Sequence, residues 1–427
     1  MPILTELPGA QLLPFYRRPA EIRQGQDFPR RRPRARAHTP GCNPVKELLW
    51  RTKSEPEEPE PQEPEWFELP LQAEPGGSFD LRGFIQTLAN ARCLTRVRER
   101  IEWNLGIGRW TRSRHKPLLF ENVKDYPGQR VFTNGLVDPI CIGLALGFEA
   151  SMPFASLIAQ CRKRLGEPIK PKIVKTGPVL ENVVPSIALD LLQFPVPHWS
   201  EYDAGRYIGT WHLNISRDPE TGKRNAGVYR MQVLGPRQAT ISASKGSDLS
   251  RHVAKAEAKG AELPTVVAIG APEATVMAAG AACPATMDEF ELAGALQQKP
   301  VELLELGRLE APARSEIVIE GFIHPAVRVT DGPYFDYYGR PNTNPNAFLF
   351  EATRLMYRND PIFRGSAIGK PGAEDHQLFA FLAQLGLVDF HGSRLKQIVQ
   401  NFLWKRRAFE TLQSVGKIGS DLRRRKQ

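Results

Sequence analysis

Asn225-Ala226-Gly227-Val228-Tyr229-Arg230-Met231-Gln232 is the stretch on which the reading of this 427-residue chain turns. Upstream lie the alternating run His212-Leu213-Asn214-Ile215-Ser216 and then Asp218-Pro219-Glu220-Thr221-Gly222, whose Pro and Gly suit a reversing turn. Two strands joined this way form a β-hairpin, with a return strand over Gly227 to Val233. An arginine on that strand can bind a planar carboxylate through parallel N–H donors, and Asn225 offers a neutral oxygen to a hard cation. Strand alternation sets positions 225 and 230 on opposite faces. For both to serve one site the chain must bend, and Gly227 is where it can. Taken alone, a Tyr-Arg pair on a strand is more often a surface or structural pair.

Working outward, an Ala, Lys and Glu-rich helix is expected from Val253 to Lys259, a β-branched strand over Thr265-Val266-Val267-Ala268-Ile269, and further strands near Glu316 to Glu320. A strand-rich middle carrying a few helices predicts an α+β barrel or sheet. Towards the N-terminus, Leu81, Phe84, Ile85 and Leu88 recur at helical spacing behind a Ser78 or Asp80 cap. Leu118-Leu119-Phe120 and Arg130-Val131-Phe132 read as strands flanking a turn at Tyr126-Pro127-Gly128. The expected organisation is a disordered extension over residues 1–75 and an α/β domain over 76–186. A central split-barrel-like domain (187–345) and a shortened C-terminal α/β or helical region (346–427) complete it. In that last region Leu395, Ile398, Val399, Phe402 and Leu403 have amphipathic spacing.

The formal charge of +10 raises the question of a polyanionic partner. Residues 1–54 carry a net of +7, residues 55–68 a net of −7 and residues 394–427 a net of +8, so residues 69–393 keep only +2. The charge sits in the tails, which argues against nucleic-acid binding through the core. Five scattered cysteines without a CxxC pair do not make a disulfide framework and suit a reducing compartment. No apolar run approaches the ~20 residues of a membrane span and no hydrophobic signal region opens the chain. The expectation is a cytoplasmic protein.

Two further constellations could carry chemistry. Asp331-Gly332-Pro333-Tyr334-Phe335-Asp336 holds two carboxylates across what reads as a Gly-Pro turn, a way to place one acid where a proton is needed and another beside it. A solvated turn that merely favours Asp is the alternative. Asp288-Glu289-Phe290-Glu291-Leu292-Ala293-Gly294 offers glutamates to a divalent cation. An amphipathic segment with exposed acids is the commoner explanation of such a pattern.

In order and spacing these stretches resemble the UbiD-type decarboxylases that use prenylated flavin mononucleotide. The resemblance runs through Asp80-Leu81-Arg82-x-Phe84-Ile85, Leu118 to Val123, Asn225 to Gln232 and Glu289 to Gly294. It continues at Ser315 to Gly321, at Asp331-Gly332-Pro333 and at Gly369-Lys370-Pro371-Gly372-Ala373-Glu374-Asp375. It implies a catalytic arginine at Arg230, active-site acids at Asp331 and Asp336, and metal ligands at Asn225, Asp248 and Glu289. Cofactor contacts are implied at Asn225, Gly227, Val228, Tyr229, Arg230, Asp248 and Glu289. The implied cofactors are prenylated FMN and a divalent ion, manganese or magnesium, with potassium as a further candidate. The implied reaction is non-oxidative decarboxylation, or its reverse, of an aromatic, heteroaromatic or α,β-unsaturated carboxylic acid. A UbiX-type flavin prenyltransferase would supply the cofactor, and the implied assembly is a homo-oligomer.

The departures are specific. Asp331 stands where the family usually has Glu, which moves the carboxylate by about a carbon–carbon bond length. Phe335 stands where Gly is usual. The usual third metal ligand, a histidine, falls on Asp248, with His252 four residues on. These changes and the short C-terminus support the alternative of a non-catalytic relative kept as a subunit or regulator. His198, His212 and His324 read as packed or exposed residues without a catalytic role.

Overall fold

A computed structural model describes residues 79–388, apart from 284–286, 338 and 370–372. The N-terminal extension, the Ser78 cap, Lys370 to Gly372 and the amphipathic stretch from Leu395 lie outside the described residues.

The first described elements are α1 (Leu81–Asn90), β1 (Thr95–Val97), α2 (Gly106–Ser113), β2 (Leu118–Phe120) and β3 (Arg130–Thr133). They are followed by α3 (Pro139–Ala145), α4 (Phe154–Leu165), β4 (Lys172–Val174) and β5 (Asn182–Pro185). Next come β6 (Tyr207–Gly209), the hairpin β7 (His212–Arg217) and β8 (Arg224–Gly227), then β9 (Met231–Gln232) and β10 (Gln238–Ile241). The chain continues through α5 (Asp248–Ala258), β11 (Leu263–Ile269), α6 (Glu273–Ala279), α7 (Glu289–Gln297), β12 (Glu302–Leu306) and β13 (Leu309–Pro312). Two long strands, β14 (Ile317–Phe335) and β15 (Pro341–Tyr357), precede β16 (Ile362–Arg364) and α8 (Glu374–Leu385).

The main sheet has the order β10-β15-β14-β11-β7-β8, with β5 added on β15. It curls into a half barrel within a mixed α/β fold. Period-two alternation explains why it is covered on both faces. Val266, Ala268 and Val318 point into a core shared with α1, α3, α4, α6 and α7. Their neighbours Val267, Ile269, Ile317 and Ile319 point into the opposite core with Leu249 and Val253 of α5. Fully burying each such aliphatic side chain contributes about 1.5–3 kcal/mol. The β14–β15 ladder slips register between Glu320 and Gly321, between Ile323 and Arg328, and twice between Val329 and Tyr334, and such irregularities increase twist and bend a long hairpin.

Helix α1 begins where the sequence predicts, with Asp80 Oδ1 accepting the Gly83 amide at 2.8 Å and Leu81, Phe84, Ile85 and Leu88 buried. Two motifs without evident chemistry meet here. Arg82 donates through Nε and Nη2 to the two oxygens of Glu316, both at 2.9 Å, which ties α1 to the start of β14. The sheet β1-β2-β3 is completed by β16, which returns to pair in parallel with β3. Residues beyond 346 therefore build the same sheet as residues 95–133.

The hairpin forms as read, with Gly222 N–H closing on Asp218 O at 2.9 Å. Its return strand is shorter than expected. β8 stops at Gly227 and Val228, Tyr229 and Arg230 lie outside any strand, while β9 pairs with β6 in a separate sheet. The Asp331-Gly332-Pro333 stretch is not a turn. It lies within β14, with Asp331 opposite Asn344 and Tyr334 opposite Asn342, so pairing with β15 overrides the local Gly-Pro signal. The helix expected from Val253 starts earlier, at Asp248, because Ser247 caps it by accepting the Ser250 amide.

Candidate active site

The bend that Arg230 needs is at Gly227. A Cβ built there would stand 2.5 Å from the Tyr229 ring, so the ring occupies the space that a side chain at 227 would fill. The Tyr229 amide is tied to Asn214 Oδ1 at 3.1 Å. Arg230 is thereby turned away from β8 towards β14. Gly227→Ala is expected to cost roughly 1–3 kcal/mol through this overlap and to loosen Arg230, read as a fall in Tm together with lower turnover of the flavin-loaded protein.

Arg230 and Asp331 meet. Arg230 Nε donates to Asp331 Oδ1 at 2.6 Å, and Thr240 Oγ1 donates to Oδ2 at 2.5 Å, so both oxygens of this fully buried carboxylate are engaged. Burial raises the Asp331 carboxyl, opposed by the Arg230 charge and the Thr240 hydrogen bond. Arg230 Nη2 donates to the Asn342 carbonyl at 3.1 Å, and its guanidinium lies 5.1 Å from the Tyr334 ring centroid. Asn342 also donates through Nδ2 to Asp336 Oδ2 at 3.2 Å. One asparagine of β15 thus touches both Arg230 and the second acid, which is itself buried. Gln232 Oε1 accepts the Gly332 amide at 3.1 Å and the Tyr207 hydroxyl at 3.3 Å, fixing the strand between the acids.

The three residues expected around a metal divide. Glu289, first residue of α7, is half-buried and its Oε2 accepts the Ala226 amide at 3.1 Å, which places it against Asn225 on β8. Burial pushes Glu289 up to about 7, against the hydrogen bonds of its own amide and that of Ala226, and the charges of Asp288 and Asp248 push it further. Asn225 Nδ2 is buried without a hydrogen-bond partner. A half-buried carboxylate that resists ionisation, set beside an asparagine, fits a divalent cation, whose charge reverses that resistance and which the asparagine oxygen rather than its nitrogen would ligate. Asp248 is different. Its side chain is 56% exposed and pairs with Arg251 one turn along α5, so its field reaches the pocket while its carboxylate faces out. His252, four residues on, is buried with its Nδ1 2.9 Å from Ser216 Oγ, which leaves its Nε2 outside that contact. Among the described residues no three His, Cys, Asp or Glu side chains converge as a metal cluster. Val228, expected as a cofactor contact, is exposed on the bend.

The partners Thr240 and Asn342 carry no local signal in the sequence. Gln232 does, as the end of the Asn-x-Gly-x-Tyr-Arg-x-Gln run. His324 Nε2 lies 3.0 Å from Glu351, and His212 is fully buried with neither ring nitrogen partnered. Burial lowers His212 to about 4, so it stays neutral.

Residues 172–371 match the model of the UbiD family, the 3-octaprenyl-4-hydroxybenzoate carboxy-lyase Rift-related domain. The structure of an evolved dimeric form of the UbiD-class enzyme HmfF from Pelotomaculum thermopropionicum, in complex with prFMN, is 30% identical with a TM-score of 0.66. That match covers 72% of this chain and 71% of the other. The closed form of the vanillic acid decarboxylase of Sedimentibacter hydroxybenzoicus is 28% identical with a TM-score of 0.68, over 71% of this chain and 67% of that one. An uncharacterised protein of Aquifex aeolicus is 33% identical over 325 residues, which are 70% of this chain and 66% of that protein, just under two thirds of its length. This chain belongs to the UbiD family.

Proposed function

We propose that this protein is a decarboxylase, or a carboxylase in the reverse direction, of an aromatic, heteroaromatic or α,β-unsaturated carboxylic acid, working with prenylated FMN. The observation that carries the reading is the buried Arg230–Asp331 pair joined through Asn342 to Asp336. Arg230 Nη1 has no hydrogen-bond partner among the described residues, so this edge of the guanidinium is left to orient a substrate carboxylate. Asp331 holds the guanidinium in place and balances its charge. Asp336 delivers a proton to the carbon that loses CO2, and takes it back in carboxylation. Prenylated FMN, when bound, supplies the electron sink for the pair released by the breaking carbon–carbon bond.

Asn225 and Glu289 are the residues that would hold a divalent ion, manganese or magnesium, with Asp248 adding negative field. A potassium ion is compatible with the same oxygen donors. The dimeric relative supports self-association, and a UbiX-type flavin prenyltransferase is the expected cofactor source. Among the described residues no helix is long and apolar enough to cross a membrane.

The test is co-expression with a flavin prenyltransferase, followed by absorbance of the purified protein and assay against a panel of aromatic and unsaturated acids. Flavin absorbance and CO2 release are expected; a protein that retains no flavin rules the proposal out. Glu289→Gln separates the ion's role. In wild type, added manganese should raise Tm and flavin retention, most strongly above about pH 7, where Glu289 is ionised. The sign follows from Glu289 lying above its ordinary value. Without an ion, its stabilising contribution is present below that value and lost as pH rises through about 7, and a cation restores it. The Gln variant should lose most of that response.

A further inference from the structure

The backbone between Asp331 and Asp336 is held along both edges. β15 pairs with one, placing Tyr334 opposite Asn342 and Phe335 opposite Pro341. Along the other runs the loop that leads into β6. There Ala204 N–H donates to the Pro333 carbonyl at 2.7 Å, and Asp203 Oδ1 accepts the Phe335 amide at 2.8 Å. The Tyr202 ring stacks on Phe335 with centroids 5.6 Å apart and planes 26° from parallel. The loop is pinned from behind, since His198 Nε2 donates to the Asp203 carbonyl at 3.0 Å and its Nδ1 lies 2.9 Å from the Asn104 side chain.

Asp203 is an expensive choice for this job. It is buried, and while Oδ1 is engaged, Oδ2 has no hydrogen-bond partner. An asparagine could accept the same amide through its carbonyl oxygen without bringing a charge out of water. The charged and titratable groups facing Asp203 are Arg112 of α2, His198 of its own loop, and the phenols of Tyr207 on β6 and Tyr334 on β14. Only Arg112 is a permanent cation, and its guanidinium donates to the Trp199 carbonyl.

We propose that Asp203 is a positioning residue, whose carboxylate grips the Phe335 amide and so fixes where the next residue, Asp336, stands relative to Arg230. The inference rests on reading Asp336 as the proton donor. An ionised acceptor makes a shorter and roughly twofold stronger hydrogen bond than a neutral one, so the grip is firm while Asp203 is charged and slackens when it takes up a proton. Burial pushes Asp203 up to about 6, with the Phe335 amide, Arg112 and His198 opposing. Because the folded value lies above the ordinary one, Asp203's stabilising contribution is present below the ordinary carboxylate range and is lost as pH rises through about 6. The charged form that grips Phe335 best is therefore the form that costs the fold most.

That opposition supplies the test. In the full, flavin-loaded chain, Asp203→Asn should raise Tm at about pH 8 and by a smaller margin at about pH 5, the margin vanishing only below the ordinary carboxylate range. Turnover at about pH 8 should fall roughly tenfold to a hundredfold, the scale of a small misplacement. The acidic limb of the kcat profile near 6 should disappear. By hydrogen exchange, the amides of residues 332–337 should lose protection in Asp203→Ala and largely keep it in Asp203→Asn. A lowered Tm in the Asn variant at about pH 8, or an unaltered turnover and pH profile, overturns the proposal. If the flavin-loaded wild type turns over no acid, the functional reading fails instead, and exchange alone decides. Protection lost in Ala and kept in Asn then upholds the grip, and equal protection in all three proteins overturns it.

Discussion

Arg230→Lys is expected to lower turnover of the flavin-loaded protein by about a thousandfold, the upper range for removing one oriented donor from an active site, with flavin absorbance retained. Lysine keeps a positive charge beside Asp331 but cannot reproduce three simultaneous engagements. Arg230 holds Asp331 through Nε, the Asn342 carbonyl through Nη2, and leaves Nη1 for substrate. A single ammonium has no rigid fork with which to divide those roles. Arg230→Ala is the less informative variant. It abandons a fully buried carboxylate without a counter-charge, which typically costs roughly 3–5 kcal/mol, so lost activity would be mixed with lost folding. Steady-state CO2 release, read beside flavin absorbance and Tm, makes the distinction. A Lys variant retaining more than about a tenth of wild-type turnover would remove Arg230 from the mechanism.

How far the site could be read from the sequence depends on the distance over which each feature is set. The bend at Gly227 was legible because it follows from strand geometry: residues 225 and 230 cannot share a site on a straight strand. What makes the bend obligatory, the Tyr229 ring lying over Gly227, is a packing fact with no local signature. The Asp331-Gly332-Pro333 stretch misleads for the same reason. Gly-Pro is a turn signal in isolation, and here the segment is gripped by β15 on one edge and by Asp203 and Ala204 on the other. Asp248 shows the limit of spacing arguments. Counting from Arg230 finds the expected position, yet Asp248 opens a helix whose buried face is taken by Leu249, His252, Val253 and Ala256, and its own side chain points to Arg251. Thr240 and Asn342 were invisible because the residues they meet, Asp331 and Arg230, lie 91 and 112 residues away along the chain.

Asp336→Asn should lower turnover by about a hundredfold to ten-thousandfold, the usual worth of a positioned general acid, while leaving flavin binding and Tm close to wild type. The two side chains have nearly the same shape, and Asp336 receives its described hydrogen bond from Asn342 Nδ2, which the carbonyl oxygen of an asparagine can also accept. What the substitution removes is the proton. In deuterated solvent the wild type should place one deuteron on the carbon that loses CO2, and the variant should lose rate in that step without losing the ability to bind the acid. This pair of measurements also separates the enzyme from a non-catalytic member of the family. A relative retained only for its fold would hold flavin or not, but its turnover would be negligible before the substitution as well as after. A wild type with measurable turnover that Asp336→Asn leaves intact would instead mean that the proton comes from elsewhere. The buried Asp331 is the nearest alternative in the chain, but both of its oxygens are already committed to Arg230 and Thr240.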